Sequence, residues 1–242
     1  MAGQDMTVPA LDAAPLHLYG RIATASNHTL LARLDVPDRE VLAVYKPRAG
    51  ERPLWDFPTG TLCSREVAAY EVDAFLGWDI VPQTVLRDGP LGVGSVQLFV
   101  SHDPRTHYFT LIESEAHHEA LSRLAVLDLL LNNADRKASH VLLDAQGRIR
   151  GVDHGLTFHT EPKLRTVVWE LGGGPLRPDW REDLGRLQAA LDGPGGVVAD
   201  RLGELLAPPE VRALARRAGA LSRLEALPDV DVRHRGYPWP PL

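Results

Sequence analysis

A change of pattern near residue 101 most constrains the fold of this 242-residue chain. Before it, short apolar runs are separated by turn-rich segments, which is typical of β-strands. After it, apolar residues recur with helical spacing over longer stretches. Strands followed by helices favour an α+β fold with a strand-rich lobe and a helical lobe. The polar stretch Ser101–His107 is the predicted hinge between them.

The first part is predicted to contain five strands and one helix. The helix begins at Ser64, a residue type that caps helices, and ends before Gly77, a residue type that stops them. Residues 1–14 have no such pattern and are predicted to form a disordered leader, so the strand-rich lobe covers residues 15–100. The predicted strands are Leu16–Ile22, Thr29–Leu34, Val41–Lys46, Val81–Leu86 and Ser95–Val100.

The second part, residues 101–242, is predicted to be mainly helical. Its one hairpin turns around Ala145-Gln146-Gly147 between two short strands. The two lobes together form one domain. The predicted helices are His117–Leu131, Trp180–Leu191, Val197–Leu206 and Pro209–Leu227, and the hairpin strands are Val141–Asp144 and Arg148–Val152.

Charge and composition exclude several classes of protein. A net charge of −6 argues against a general nucleic-acid binder, which usually has a basic excess. The single cysteine, Cys63, excludes an internal disulfide framework and fits a reducing compartment. No apolar run approaches the ~18 residues that a membrane-spanning helix needs. The sequence therefore predicts a cytoplasmic protein without stable membrane anchoring.

The segment Asn132–His140, followed by the hairpin and then by Asp153-His154-Gly155, carries the strongest chemical signal. Phosphoryl transfer from ATP needs an aspartate that orients the acceptor hydroxyl and side chains that hold a divalent metal on the phosphates. In protein kinases a metal ligand follows the catalytic aspartate by five residues, and an Asp-x-Gly element comes later. This spacing predicts Asp135 as the catalytic residue, with His140 and Asp153 as metal ligands.

Residues earlier in the chain complete a nucleotide site. Lys46 ends a predicted strand, where a phosphate-binding lysine is expected, and Glu66 in the next helix is placed to pair with it. Ser26 lies in the turn between the first two strands, where a phosphate-covering loop belongs. Gln97 and Phe99 are predicted to lie at the hinge beside the adenine.

Each of these residues also has an ordinary structural interpretation. An aspartate such as Asp135 often bonds its own loop backbone, and a carboxylate at a helix start such as Glu66 is favoured by the helix dipole. His140 is as easily a structural histidine as a ligand. Arg136 and Lys137 are candidates for neutralising phosphate charge. Only the order of the whole set favours catalysis.

Six stretches resemble the phosphatidylinositol 3/4-kinase superfamily, and within it the small bacterial type II phosphatidylinositol 4-kinase-like branch. They occur in the family's order between Tyr45 and Phe158. The resemblance implies a bilobal protein-kinase-like fold, Lys46 and Glu66 as the ATP-site pair, Asp135 as the catalytic aspartate and Asp153 as a metal ligand. The stretches are Tyr45–Pro47, Ser64–Asp73, Ile80–Thr84, Gly94–Val100, Asn133–Arg136 and Val152–Phe158.

Two departures from the family bear on metal and substrate. His140 stands where the family has a metal-binding asparagine, and imidazole suits softer divalent ions better than Mg²⁺, so Mn²⁺ is predicted to be preferred over Mg²⁺. The family's cysteine-rich, palmitoylated stretch is replaced by residues 52–58, with only Cys63 nearby. One acyl chain anchors a protein only marginally. A protein acceptor is therefore favoured over a lipid.

These observations predict an ATP-dependent protein Ser/Thr kinase that first phosphorylates itself. Transfer to a small molecule or a lipid is an alternative. A second alternative is a pseudokinase that binds nucleotide as a signalling scaffold. Both His140 and the glycine-free loop of Ser26 differ from the residues of active kinases. A metal-dependent phosphohydrolase ranks last, since the histidines lack companions at useful spacing. The sequence does not indicate the acceptor or the oligomeric state.

Overall fold

The first part of the chain folds into a five-stranded antiparallel sheet. The structure is a computed structural model that describes residues 8–22, 27–37, 39–193, 195–228 and 236–242. The strands follow the order β1-β2-β3-β5-β4 across the sheet. Their bounds are β1 (Leu16–Arg21), β2 (Leu30–Val36), β3 (Arg39–Pro47), β4 (Thr84–Gly89) and β5 (Gly92–Leu98). A strand-rich first part before a helical second part confirms the predicted α+β class.

A short helix, α1 (Val8–Ala13), precedes the sheet. Leu11 of this helix is fully buried in the core of the sheet. The Arg87 guanidinium on β4 donates hydrogen bonds to the carbonyl oxygens of Leu11 and Ala14 at 2.9 and 2.8 Å. The structure therefore differs from the predicted disordered leader over residues 8–14, because a packed leucine and two hydrogen bonds order this segment. Residues 1–7 lie outside the described part.

The central strand β3 places Lys46 by simple alternation. Val41, Ala43 and Tyr45 on this strand are buried in the core of the sheet. Successive side chains of a strand point to opposite faces. Lys46, which follows Tyr45, therefore emerges on the other face of β3.

The helix α2 (Leu62–Leu76) begins two residues before the predicted start at Ser64. The side-chain oxygen Oε1 of Glu51 accepts a hydrogen bond from the Cys63 N–H at 2.8 Å and so caps the first turn. A cap supplied from the loop before the helix is invisible to local pattern analysis. The predicted stop is confirmed, because Gly77 follows the helix in a left-handed conformation with φ 72°.

Two strands are displaced from their predicted positions. β4 begins at Thr84 instead of Val81, because Pro82 has no N–H to give to the sheet. β5 begins at Gly92 instead of Ser95 and ends at Leu98. The Tyr45 hydroxyl donates a hydrogen bond to the Gly92 carbonyl, which anchors the early start of β5.

The second part of the chain is built from helices and one hairpin around a shared apolar core. The order matches the sequence prediction. The elements are α3 (Tyr108–Leu111), α4 (His118–Leu131), β6 (Val141–Leu143), β7 (Ile149–Gly151), α5 (Pro178–Asp192), α6 (Val197–Leu205) and α7 (Pro208–Leu221). No helix among the described residues is long and apolar enough to cross a bilayer.

The last helix ends earlier than predicted, at Leu221 instead of Leu227. Beyond it, the chain pairs with residues 173–176. The Leu176 N–H donates to the Glu225 carbonyl at 2.8 Å, and the Leu227 N–H donates to the Gly174 carbonyl at 2.8 Å. These long-range backbone bonds replace the bonds that would have continued the helix.

Candidate active site

The loop that carries Asp135 begins where α4 ends, and Asn132 fixes this junction. Asn132 has a left-handed backbone conformation, with φ 56°, which asparagine tolerates better than most residues. Its side-chain amide donates to the carbonyl oxygens of His159 and Glu161 at 2.9 and 2.7 Å, and its side-chain oxygen accepts from the Lys163 N–H at 2.9 Å. One residue thus ends the helix and joins the loop to a later part of the chain.

Asp135 is held by its own loop. Its backbone N–H donates to Asn133 Oδ1 at 3.0 Å, and the Asn133 amide donates to Asp128 Oδ1 of α4 at 2.9 Å. Lys137 Nζ lies 3.5 Å from Asp135 Oδ2. Burial raises the pKa of Asp135 to about 6, against the opposing charge of Lys137. A carboxylate with such a pKa is mostly ionised at neutral pH and is still basic enough to accept a proton.

Asp153 follows the hairpin and lies between two other predicted site residues. Its backbone is left-handed, with φ 61°, a conformation that aspartate adopts more readily than most residues. Lys46 Nζ donates to Asp153 Oδ1 at 2.9 Å, and His140 Nε2 lies 3.3 Å from Asp153 Oδ2. Although burial alone would raise the pKa of Asp153, the charge of Lys46 outweighs it and lowers that pKa well below its usual range. Asp153 is therefore ionised.

Lys46 joins the two parts of the fold. Its ammonium group donates a hydrogen bond to Glu66 of α2 as well as to Asp153. Glu66 Oε2 also accepts the backbone N–H of His154 at 3.0 Å, so the same carboxylate holds the residue after Asp153. Burial disfavours the charged lysine, but the charges of Asp153 and Glu66 prevail and raise the pKa of Lys46. One cation from β3 is thereby fixed between two carboxylates.

His140 presents a neutral imidazole to Asp153. Burial lowers the pKa of His140 to about 4. Its Nδ1 accepts the Lys137 backbone N–H at a long 3.4 Å, which assigns the ring proton to Nε2, the nitrogen facing Asp153. Binding a metal at Nε2 would release that proton, as metal binding commonly does.

The residues present fit a divalent ion bound together with phosphate. Asp153 Oδ2 and His140 Nε2 are 3.3 Å apart, close to the roughly 2.9 Å that separates neighbouring ligands of an octahedral ion with bonds of about 2.1 Å. No three His, Cys, Asp or Glu side chains cluster as a metal site within the part of the chain that the structure describes. Ions in phosphoryl-transfer sites usually take one or two protein ligands, and phosphates and waters supply the rest.

Arg136 does not face the cleft. It is fully buried, and its Nη2 and Nε both donate to Asp128, with bonds of 2.9 to 3.1 Å. The remaining Nη1 donates to the Val152 carbonyl at 2.6 Å, and Nη2 lies 2.7 Å from His154 Nε2. Arg136 is thus bonded to both neighbours of Asp153. Its proposed contact with phosphate is wrong, because its donors are already used inside the protein.

Sequence reasoning missed Asp128, the buried partner of Arg136. A signal was present: Asp128 interrupts the apolar run from Leu127 to Leu131 in α4. A carboxylate on a buried helix face needs a partner, since burying an unpaired charge is very costly. Pattern analysis does not reveal which cation supplies that partner.

The two predicted hinge residues lie at the end of β5. The Gln97 side chain is buried and donates to Thr84 Oγ1 at 2.8 Å within the sheet, so its amide is already engaged. The Phe99 N–H donates to the Leu42 carbonyl at 3.0 Å, and its ring is partly exposed. The contact of these residues with adenine stays a prediction.

Ser26 lies outside the described residues. Its neighbours Asn27 and His28 are tied to the turn after β3. Asn27 Oδ1 accepts the Arg52 N–H at 3.1 Å, and the His28 N–H donates to the Gly50 carbonyl at 3.2 Å. The part of the β1–β2 connection that leads into β2 is therefore hydrogen-bonded to the turn after β3.

Comparison with known proteins identifies the family of this chain. The family model described as phosphatidylinositol 3- and 4-kinase matches residues 83–177, which include Asp135, His140 and Asp153. Protein Rv2133c of Mycobacterium tuberculosis is 40% identical over 258 residues, a match that covers 93% of this chain and 91% of that protein. This chain belongs to the phosphatidylinositol 3- and 4-kinase superfamily. It is a kinase.

A solved structure was also found to be similar. The proinflammatory kinase CtkA of Helicobacter pylori is 12% identical to this kinase and has a TM-score of 0.48. The match covers 89% of this chain and 94% of that one.

Proposed function

We propose that this kinase transfers the γ-phosphoryl group of ATP to a serine or threonine hydroxyl of a protein, and first to one of its own. The contact of Lys46 with both Glu66 and Asp153 carries the proposal. Such a constellation serves phosphoryl transfer, where a lysine binds phosphates and a nearby aspartate holds the metal that neutralises them. It is assembled from β3, α2 and the turn after β7, which the sequence separates widely.

Each residue has a defined task in the proposed reaction. Lys46 binds phosphate oxygens, and Glu66 keeps its ammonium group in place. Asp153, with His140, holds a divalent ion, which supplies charge neutralisation on the phosphates when bound. Asp135 orients the acceptor hydroxyl and accepts its proton as the new P–O bond forms. ADP leaves with the electrons of the broken bond.

The segment 52–58 supports a protein acceptor. In place of cysteines for acylation, this segment packs against the chain that follows Asp153. The Phe57 ring contacts the His159 ring with centroids 5.4 Å apart, and Asp56 Oδ2 accepts from Lys163 Nζ at 3.1 Å. Phe57 is buried, whereas Leu54 and Trp55 are exposed. Action on a protein in the cytoplasm is consistent with the internal contacts of Asp56 and Phe57.

Mass spectrometry of the intact protein tests the acceptor. Incubation with ATP and Mn²⁺ is expected to add about 80 Da per phosphate, and phosphosite mapping then identifies the residue. The same mixture is given phosphatidylinositol vesicles in a parallel reaction. Phosphorylated lipid without any phosphorylated protein would overturn the proposed acceptor while leaving the kinase assignment intact.

A second candidate is a nucleotide-binding scaffold without turnover. It is favoured by the engagement of both Asp153 oxygens, since Oδ1 accepts from Lys46 and Oδ2 faces His140. Radiolabelled ATP separates the two functions. Binding of nucleotide by the wild-type protein without transfer or hydrolysis would favour the scaffold.

Metal preference is expected to depend on His140. The wild-type kinase should be several-fold more active with Mn²⁺ than with Mg²⁺, because imidazole nitrogen suits the softer ion. His140→Asn supplies an amide oxygen and is expected to reverse the preference. Initial rates and Mn²⁺ binding by electron paramagnetic resonance measure the change. Identical metal ratios in the two proteins would show that His140 is not a ligand.

The rate of transfer is expected to fall as pH drops through about 6. Asp135 must be ionised to accept the proton, and burial raises its pKa to about 6. Below that pH the rate should approach a tenfold loss per pH unit, since one protonation blocks the base. Lys137→Met should move the midpoint to higher pH, because Lys137 holds the pKa of Asp135 down. A rate that is constant from pH 5 to 8 would contradict Asp135 as the base.

A further inference from the structure

The segment of residues 236–242 lies against the catalytic loop, although it is distant in sequence. The Ala138 N–H donates to the Pro241 carbonyl at 2.8 Å. Ala138 is fully buried and begins the short 3-10 turn Ala138–His140, which carries the candidate metal ligand. The first N–H groups of such a turn have no partner within it, so an acceptor from elsewhere must satisfy them. Pro241 supplies that acceptor.

The same segment also contacts Thr166 and Trp169, in a stretch of chain that lies beside the catalytic loop. The Gly236 carbonyl accepts the Thr166 N–H at 3.0 Å and the Trp169 indole N–H at 3.4 Å. The region of Thr166 runs beside the catalytic loop, since the Arg136 N–H donates to the Arg165 carbonyl at 3.0 Å. The backbone of residues 236–242 therefore binds the catalytic loop at Ala138 and the neighbouring stretch at Thr166.

Backbone carbonyls of this segment accept the hydrogen bonds from Ala138, Thr166 and Trp169. Pro238 is buried, whereas the Trp239 side chain is 89% exposed. Backbone carbonyls have fixed positions once the chain is docked, so they can hold the turn at Ala138 in one place. A segment that satisfies buried N–H groups on both sides stabilises the loop geometry directly.

We propose that residues 236–242 are a positioning element of the active site, which holds the catalytic loop and the turn of His140 in their productive arrangement. The proposal rests on the proposed phosphoryl transfer. These residues act on the site through Ala138 and Thr166. Small displacements of catalytic groups reduce rates strongly, because reacting atoms must be aligned before the chemical step. Loosening the segment should therefore lower kcat more than it weakens nucleotide binding.

Gly236 offers a selective test. A Cβ at this position would lie 2.6 Å from the Leu164 carbonyl oxygen and 3.1 Å from Arg165 Cγ, so Gly236→Ala must displace the segment. The matched control is Gly185→Ala in α5, where a Cβ has no neighbour within 4 Å and alanine favours the helix. A milder variant, Trp169→Phe, removes the indole N–H that binds the Gly236 carbonyl and keeps an aromatic ring at this position.

Kinetics and hydrogen exchange together decide the outcome. In Gly236→Ala we expect kcat to fall at least about tenfold with KM for ATP within about twofold, since positioning affects the chemical step. The Ala138 and Thr166 amides should exchange faster than in wild type, and Gly185→Ala should match wild type in both measurements. Trp169→Phe should produce the same pattern at smaller amplitude, which keeps the test usable if Gly236→Ala unfolds.

Two results would overturn the proposal. One is faster exchange at Ala138 and Thr166 with unchanged kcat, which would make the segment purely structural. The other is unchanged exchange at both amides, which would mean that the segment does not hold the loop. Failure of the proposed function has a different signature, because wild-type protein would then transfer no phosphate while the exchange data remained interpretable.

Discussion

Asp135→Asn is expected to reduce phosphoryl transfer by about a thousandfold, in the middle of the range for loss of a general base. Asparagine has nearly the same shape but cannot accept the hydroxyl proton. The Asp135 N–H bond to Asn133 involves the backbone and should survive, so the loop is expected to keep its geometry. Initial rates with radiolabelled ATP measure the loss. Nucleotide binding, followed with a fluorescent ATP analogue, should change little.

The control for this variant is Asp200→Asn, which removes an exposed carboxylate in α6. It should retain wild-type activity, since single exposed charges contribute little. Transfer by Asp135→Asn at more than about a tenth of the wild-type rate would be incompatible with Asp135 as the base, given the usual size of this effect.

Asp153→Asn is expected to lower activity by a hundredfold or more, because a metal ligand supports several kcal/mol of charge stabilisation and each 1.36 kcal/mol is about tenfold in rate. Asparagine keeps one oxygen but loses the charge. Lys46 would also lose one of its two carboxylate partners and retain Glu66. Activity measured across a Mn²⁺ titration should show both a lower maximum and a higher metal requirement.

Comparison with Glu66→Gln separates metal binding from lysine positioning. Glu66 binds Lys46 and the His154 N–H and is not one of the two candidate metal ligands, Asp153 and His140. Its loss should lower activity without raising the metal requirement. If Asp153→Asn needed no more Mn²⁺ than the wild-type protein, this result would show that Asp153 is not a metal ligand.

Local patterns predicted the elements that position the site. The alternation of Val41, Ala43 and Tyr45 identifies β3 and places Lys46 at its end. The stop at Gly77 fixes the end of the helix that carries Glu66. The hairpin of β6 and β7 forms between Asp135 and Asp153, as the sequence predicts. The connections in this region are short and leave the chain few alternatives.

The remaining features depend on contacts between distant segments. Glu51 extends α2 by capping it from outside, and Asp128 determines that Arg136 points into the protein. The pairing of residues 225–227 with 173–176 accompanies the early end of α7. None of these contacts has a period or spacing of its own, so a single sequence does not indicate which buried polar group meets which partner.

From the position of Lys46 we expect nucleotide and metal to bind cooperatively. In the structure its ammonium group binds Asp153 Oδ1, while Oδ2 of the same carboxylate faces His140. The positive charge of Lys46 would repel a free metal ion at Oδ2, whereas phosphate oxygens that attract Lys46 would reduce this repulsion. Because linkage is reciprocal, metal must strengthen nucleotide binding by the same factor. We therefore expect the lysine to make the site selective for the metal–nucleotide pair over either component alone.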